Sequence, residues 1–348
     1  MKALSVIPGQ AESARLEEVP EPPERDGAIL VETLQVGICG TDLEIVGGAY
    51  GWAPPGEKRL IIGHESLGRV LSAPKGCGLS VGELVVGFVR RPDPVPCTSC
   101  GVGEWDMCRN GQYTERGIKE RHGYCSERYR IAPEHLVKLD ARLAVVGVLT
   151  EPASVVAKAW EQIERIGARA HWQPRRVLVT GAGAIGLLAA LLGVQRGYEV
   201  HVFDRVTDGP KPGLVASLGA SYHHGPASEA SQQMDIVLEC TGVGQVVLDV
   251  LANPSANRIV CLTGVSSGAR RIPVNMAALN KTMVLENDVV FGSVNANARH
   301  YRAAVSALEA ANSDWLEQLI TRRLPLARWS EALVRQPDDV KVILQLAR

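Results

Sequence analysis

The chain has 348 residues, 46% hydrophobic and 22% charged, with a formal net charge of −1. That length exceeds one small domain and suits two. The near-neutral balance predicts neither a nucleic-acid partner nor an anionic-membrane partner. The opening MKALSVIPGQ has no basic stretch leading into an apolar core, so no signal peptide is expected.

To about residue 155 the chain is a series of short β-like runs, AILVETL, LIIGHESLGRVL, ELVVGFV and RYRIA, punctuated by Gly and Pro. EPASVVAKAWEQIERIG then places apolar residues at helical spacing, with Pro152 in its first turn. From Arg176 the pattern changes. RRVLVT reads as a strand, AIGLLAALLGVQRG as a helix ending at Gly197, and YEVHVFD as a second strand. LVASLGA reads as a short helix, and MDIVLECTG, RIVCLTG and VVFGSV as further strands. Strands alternating with helices predict an α/β fold with a parallel, doubly wound sheet. The apolar stretch from Val177 to Val194 holds Gly181, Gly183 and Gly186 at fixed offsets and switches from β-rich to helix-rich composition, so it reads as a buried strand and helix rather than a membrane span. ALEAANSDWLEQLITRRLPLARWSEALV is expected to be helical, followed by a strand VKVILQL that returns to the first domain. The expected domains are 1–155 completed by 305–348, and 156–304.

Gly181-Ala182-Gly183-Ala184-Ile185-Gly186 fits G-x-G-x-x-G between a strand and a helix, with Asp204 closing the next strand. In that context the motif predicts dinucleotide binding: the first glycine turns the chain, the second admits the pyrophosphate and the third lets helix and strand pack. Asp204 suits the ribose 2′-hydroxyl of NAD, whereas Arg205 and Lys211 could neutralise the 2′-phosphate of NADP. The expected cofactor is NAD(P), leaning to NAD.

Eight cysteines and no secretion signal point to metal binding in a reducing, cytoplasmic compartment rather than to disulfides. Cys97, Cys100 and Cys108 cluster within twelve residues. Cys39, His64, Glu65 and Glu151 are of types that ligate zinc, although no spacing rule ties them together.

GICGTD (37–42), GHESLGRV (63–70), VGELV (81–85) and GAGAIG occur in one order along most of the chain. Together they resemble the zinc-dependent medium-chain dehydrogenase/reductase superfamily. The resemblance implies a GroES-like irregular β catalytic domain and a Rossmann cofactor domain. It implies that Cys39, His64 and Glu151 ligate a catalytic zinc, with Glu65 as an alternating or supporting ligand, and that Thr41 contacts the substrate oxygen. Asp42 would fix the loop backbone. Glu44 stands where many members carry a histidine that ends the proton relay. The family's four-cysteine structural zinc lobe would be matched by Cys97, Cys100 and Cys108, but its first cysteine falls on Pro94. Asp93 could supply the fourth ligand; the alternative is a lobe that no longer binds metal. Dimers or tetramers are expected from the resemblance.

CGTDLEIV, FVRRP (88–92), YTERGIKERHGYCSE (113–127) and GSVNANARHY (292–301) resemble the glucose (aldose) 1-dehydrogenase branch specifically. That branch implies oxidation of the C1 hydroxyl of glucose or a related aldose to a lactone. A polyol needs many polar partners, since a buried hydroxyl left unpaired is costly. Glu115, His122, Asn295 and His300 are candidates to bind it, with Asn295 also near the nicotinamide. Thr241 and Thr263, in ECTG and CLTGVSSG, would line the cofactor. Two other readings stay open: a polyol or secondary-alcohol dehydrogenase of the same superfamily, and a non-catalytic NAD(P)-binding sensor.

Overall fold

The computed structural model describes residues 1–266 and 271–347; Ser267 and Gly268 of the CLTGVSSG segment, and Arg348, lie outside them. The chain forms two compact units, Met1–Ser154 with Asn295–Arg348, and Val155–Val294.

In chain order, the first unit contains β1 (Lys2–Val6), β2 (Arg15–Glu18), β3 (Ile29–Ile38), α1 (Gly40–Val46), β4 (Leu60–Ile61), β5 (Glu65–Ser72), β6 (Leu84–Gly87), β7 (Arg90–Arg91), α2 (Thr98–Gly101), β8 (Thr114–Arg116), β9 (Glu120–Arg121), β10 (Arg128–Ile131) and β11 (Leu136–Leu139). Helix α3 (Thr150–Gly167) carries the chain into the second unit, which contains β12 (Arg176–Thr180), α4 (Ala184–Gln195), β13 (Glu199–Phe203), α5 (Pro210–Ser217), β14 (Ser221–His223), α6 (Ala227–Ala230), β15 (Ile236–Glu239), α7 (Gly244–Leu251), β16 (Ile259–Leu262), α8 (Met276–Glu286) and β17 (Val289–Gly292). The first unit resumes with α9 (Ala298–Glu309), α10 (Ser313–Leu319), β18 (Ile320–Pro325), α11 (Trp329–Ala332) and β19 (Lys341–Gln345).

The long strand β3 organises the first unit. It pairs antiparallel with β5 on one side and β19 on the other, in the sheet order β11-β6-β5-β3-β19-β18. Gly37 lies opposite Glu65, and Ile38 opposite Val342. The end of β3 therefore meets the start of β5 and the start of β19, which is how residues far apart in sequence reach one place. Gly37 is required there, because a Cβ would overlap the Glu65 carboxylate.

The C-terminal stretch expected to be helical contains β18, over Ile320–Pro325, paired parallel to β19. Arg322 and Arg323 hide its strand character, but backbone pairing to β19 and the Arg322–Asp339 ion pair at 2.8 Å hold it extended. VKVILQL does return as a strand beside β3. The chain rejoins the first unit at Asn295, ten residues before the expected 305. The reason is local: Asn295 bonds Glu115 at 2.7 Å and Asn297 bonds Asp106 at 2.7 Å, tying this loop to the first unit before α9 starts.

The second unit is a parallel six-stranded sheet in the order β14-β13-β12-β15-β16-β17. Its central strands are buried on both faces, as covered parallel sheets are. Most of α4 is buried, which explains why the apolar run from Val177 to Val194 has no polar face. No helix among the described residues is long and apolar enough to cross a membrane.

Candidate active site

Three of the donors expected at the catalytic metal meet where β3, β5 and β19 converge. Cys39 leaves β3 in an extended conformation and caps α1, with its Sγ accepting from the Thr41 N–H at 3.3 Å. Asp42 completes the capping box by accepting from the Cys39 N–H at 3.0 Å. His64 precedes β5, and its Nε2 lies 3.1 Å from Cys39 Sγ. Its Nδ1 faces Asp42 Oδ1 at 3.4 Å, so one carboxylate orients both the thiol and the imidazole. One donor atom each from Cys39, His64 and Glu65 falls within 4.8 Å of the others.

This donor set fits zinc. Tetrahedral thiolate and imidazole ligands would stand about 3.5 Å apart at normal zinc distances, so the pair needs to open only slightly. Buried Asp42, Glu65 and Glu151 and the half-buried Cys39 thiol lie around His64 and the buried Lys341, whose charges they feel. Protonation reflects the crowding. Burial lowers the His64 pKa, but Cys39 and Asp42 outweigh it and hold it well above the histidine range. Burial pushes Glu151 up to about 7, against the pull of His64 and with the push of Glu65. A divalent cation would displace these protons and stabilise the anionic ligands. Glu151, in the first turn of α3, is buried but stands outside the three-residue cluster.

Lys341 was not anticipated from the sequence. Lys341 is 3% exposed, and its Nζ donates to both carboxylate oxygens of Glu65 at 2.6 Å. In this arrangement both Glu65 carboxylate oxygens are held by Lys341.

A polar cluster of the same unit contains Glu115 and Asn295. Glu115, 6% exposed on β8, accepts from Arg90 Nε at 3.0 Å and from Asn295 Nδ2 at 2.7 Å. Asn295 adopts a left-handed φ of 62°, with its Oδ1 taking the Ala296 N–H at 2.8 Å. Arg90 stacks on the Tyr113 ring at 3.7 Å. Tyr50 is near enough to Glu115, Tyr113, Arg90 and Glu44 to feel their charges; burial and Glu115 raise its phenol pKa. Tyr50 and Trp52, 40% and 48% exposed, stack edge to face at 5.1 Å. Exposed aromatics beside a carboxylate and an amide suit a sugar, which presents C–H faces and hydroxyl edges.

His300 is buried with Nδ1 accepting from the Asn297 N–H at 3.1 Å, so it caps α9 and fixes the loop that carries Asn295. His122 is not brought to the cluster. Its Nδ1 takes the Ile61 N–H at 3.2 Å and its Nε2 bonds Glu57 at 2.8 Å, which holds a turn beside β4.

Cys97, Cys100 and Cys108 also place their sulfurs within 4.8 Å of one another. The Arg109 and Cys100 N–H groups, each at 3.4 Å, draw the Cys97 thiol down to about 6. Burial pushes Cys100 up to about 11, with Cys108 and Cys97 adding to the rise. Asp93 is 2% exposed; its Oδ1 accepts from the Val95 N–H at 2.8 Å and its Oδ2 has no partner. It is not part of the 4.8 Å group.

In the second unit, Gly181 turns the chain with φ 88°, and a Cβ on Gly186 would overlap the Gly181 carbonyl. Gly183 precedes α4, whose first turn is formed by Ala184, Ile185 and Gly186. Asp204 Oδ2 accepts from the Ala182 N–H at 2.7 Å and from Lys211 Nζ at 3.1 Å. Burial raises the Asp204 pKa, but the Ala182 N–H and Lys211 outweigh it and hold it below the carboxylate range. Lys211 thus offsets the charge on which a preference for NAD would rest, while Arg205 is exposed. Thr241 and Thr263 stand at the ends of β15 and β16, where their hydroxyls donate to the Glu239 carboxylate and the Glu239 carbonyl respectively.

Residues 144–346 match the family model described as glucose dehydrogenase C-terminus, and residues 25–141 match alcohol dehydrogenase GroES-like domain. The chain belongs to the glucose dehydrogenase family. That family is a branch of the zinc-dependent medium-chain dehydrogenases. Glucose 1-dehydrogenase of Methanocella arvoryzae is 38% identical over 99% of both chains. Glucose 1-dehydrogenase 2 of Vulcanisaeta moutnovskia is 39% identical over 99% of both. The glucose dehydrogenase of Haloferax mediterranei, solved with NADP, Zn and gluconolactone, superposes with a TM-score of 0.92 at 32% identity over 100% of each chain. Galactitol-1-phosphate dehydrogenase of Escherichia coli, at 22% identity and a TM-score of 0.81, shares the fold alone.

Against this family background, Lys341, Arg90 and Tyr50 are the residues that sequence reading missed. Arg90 could have been found, since it lies in the FVRRP segment that carries the resemblance. Lys341 had no local signal.

Proposed function

We propose that the chain oxidises the C1 hydroxyl of β-D-glucose or a related aldose to the 1,5-lactone, reducing NAD(P)⁺ to NAD(P)H and releasing one proton. The observation that carries this reading is the convergence of Cys39, His64 and Glu65 at three strand ends, in the same unit as the Glu115–Asn295 cluster. Zinc would be held by Cys39 and His64, completed by Glu151 or Glu65, and when bound supplies a Lewis acid that acidifies the hydroxyl. Thr41, two residues from Cys39, would relay the departing proton, accepting it at Oγ1 while its own hydroxyl proton passes on to solvent. Asp42 holds the Cys39 backbone and faces His64 Nδ1, keeping both ligands aimed. Glu115 would accept from sugar hydroxyls, and Asn295 would donate to them. Asp204 would bond the adenosine ribose, with Lys211 making a 2′-phosphate tolerable, so both NAD and NADP are expected to serve. The experiment is a comparison of Glu115→Ala with the parent enzyme. Losing a charged hydrogen bond to substrate should raise KM for glucose about 10- to 100-fold, with zinc content unchanged. An unaltered KM would remove Glu115 from the sugar site.

The cysteine lobe is proposed to hold a second zinc through Cys97, Cys100 and Cys108, with Asp93 as fourth ligand through Oδ2, which has no partner among the described residues. Metal analysis should find about two zinc ions per chain, and Cys108→Ser should reduce this to about one while lowering Tm. One zinc in both proteins would make the lobe metal-free. All eight cysteines are free thiols, and four serving as ligands must stay reduced, which fits the cytoplasm.

A homodimer is proposed through the second unit. Among the described residues β17 is an edge strand, and α8 exposes Met276, Val284 and Leu285 by 63–67% with no buried residue. An unpaired edge and an apolar helix in one unit suit a second copy. Light scattering should give a dimer or a multiple of it, and Val284→Glu with Leu285→Glu should shift the mass toward the monomer. A monomeric parent would refute the interface.

A further inference from the structure

The small sheet that carries Glu115 has a second face, and that face is cationic. In β7-β8-β9, Arg90 lies opposite Glu115, Arg91 opposite Thr114, and Arg116 opposite Arg121. Residues directly opposite share a face, and residues two apart along a strand do so as well. Arg90 and Glu115 therefore point to one side, and Arg91, Thr114, Arg116 and Arg121 to the other. A bond from Arg121 Nε to Thr114 Oγ1 at 3.2 Å agrees with this assignment.

Like charges facing each other across strands destabilise a sheet, and here two of the three are also buried. Arg91 is 6% exposed and Arg116 4%. None of the three guanidiniums has an ion-pair partner among the described residues. Arg91 Nη1 donates to the Phe88 carbonyl at 2.8 Å, which also accepts from Tyr124 Oη at 2.6 Å. Arg116 lies 5.3 Å from the Tyr124 ring and donates to the carbonyls of His122 and Arg130. The Phe88 N–H in turn donates to the His135 carbonyl at 2.9 Å, and the His135 ring stands edge-on to Trp105 at 6.1 Å. Around this one stretch of backbone, four buried nitrogens have no partner among the described residues: Arg91 Nη2, Arg116 Nε, His135 Nδ1 and Trp105 Nε1. Buried polar groups are nearly always satisfied, and an orphaned buried charge is the costliest exception. The Asp26 carboxylate offsets Arg116 and Arg121 in part, with no ion pair to either among the described residues. Burial and the three arginines together push the His135 imidazole down to about 3.

We propose that this cluster binds a small inorganic anion, held by Arg91 Nη2 and Arg116 Nε and screened by Arg121, on the face of the sheet opposite Glu115. The ligand must bring acceptors and negative charge and no bulk, which describes chloride or phosphate. Arg121 is only half-buried and marks the side from which an ion enters.

The test uses the full, zinc-loaded chain, exchanged into methanesulfonate at constant ionic strength. Chloride and phosphate are then titrated separately while Tm is followed. Binding to the folded state alone should give a rise that grows with the logarithm of the ion concentration and reaches about 4 °C at one hundred times Kd, for whichever ion is the ligand. Arg91→Met should abolish that rise, which separates this site from anions at the zinc or dinucleotide sites. Should Arg91→Met fail to fold, crystals of the parent grown in bromide or phosphate give the second readout, as anomalous or phosphate density at Arg91 and Arg116. A rise that persists in Arg91→Met, or density for water alone at the two arginines, would overturn the proposal.

Discussion

Replacing Cys39 by alanine is expected to lower kcat/KM for glucose by at least about a thousand-fold, because a catalytic zinc contributes several kcal/mol and each 1.4 kcal/mol is about tenfold. The loss should appear in kcat as well as KM, since acidification of the hydroxyl matters most in the transition state. Zinc content should fall by about one ion per chain, while near-UV circular dichroism stays that of the parent. Cys39 also caps α1, where its sulfur accepts the Thr41 N–H. The alanine variant should therefore lose about 1 kcal/mol of stability as well, far too little to account for the kinetic effect. A variant that retains both zinc and activity would remove Cys39 from the metal site.

Lys341→Met carries the second large effect. Lys341 and Glu65 are each nearly fully buried and are joined by two 2.6 Å contacts. Removing one partner of a buried ion pair leaves an uncompensated charge and costs about 3–5 kcal/mol. Chemical denaturation of the metal-free protein should show that loss as a lower midpoint at unchanged slope. In the zinc-loaded protein the loss should be smaller, because the metal then supplies positive charge beside Glu65. Lys341→Arg should retain most of the stability. An equal loss with and without zinc would mean that Glu65 does not respond to the metal.

These two residues also mark how far the sequence could be read. The dinucleotide loop was legible because its parts are contiguous: a strand, Gly181 to Gly186, a helix, and Asp204 at the next strand end. Cys39 and His64 became readable only through resemblance, since their 3.1 Å contact is made by β3–β5 pairing and not by any helical or hairpin spacing. Lys341 lies 276 residues from Glu65, and a lysine opening an apolar strand reads by default as a surface group. The anionic companions that make it buried belong to the fold. β18 was hidden for a related reason. Its two arginines break the apolar alternation, and it is flanked by helices, so only its partner β19 reveals it. His122 is the reverse case. It sits in a segment shared with the branch, yet its ring is held by Ile61 and Glu57, whereas Glu115 from the same segment reaches Asn295.

The pairing of Asp204 with Lys211 changes the cofactor expectation on equally local grounds. A carboxylate alone would repel a 2′-phosphate, but a carboxylate closed by a lysine at 3.1 Å presents little net charge. Lys211 enters from α5, whose position at the end of β13 could not be fixed from composition.

The most direct measurement is product formation by the zinc-loaded enzyme with D-glucose, following reduced nicotinamide with NAD⁺ and with NADP⁺ and identifying the lactone. Gluconolactone and reduced cofactor are expected in equal amounts, abolished by a chelator and restored by zinc. Cofactor reduction that survives complete zinc removal, or none with glucose and every related aldose while a simple alcohol reacts, would contradict this expectation.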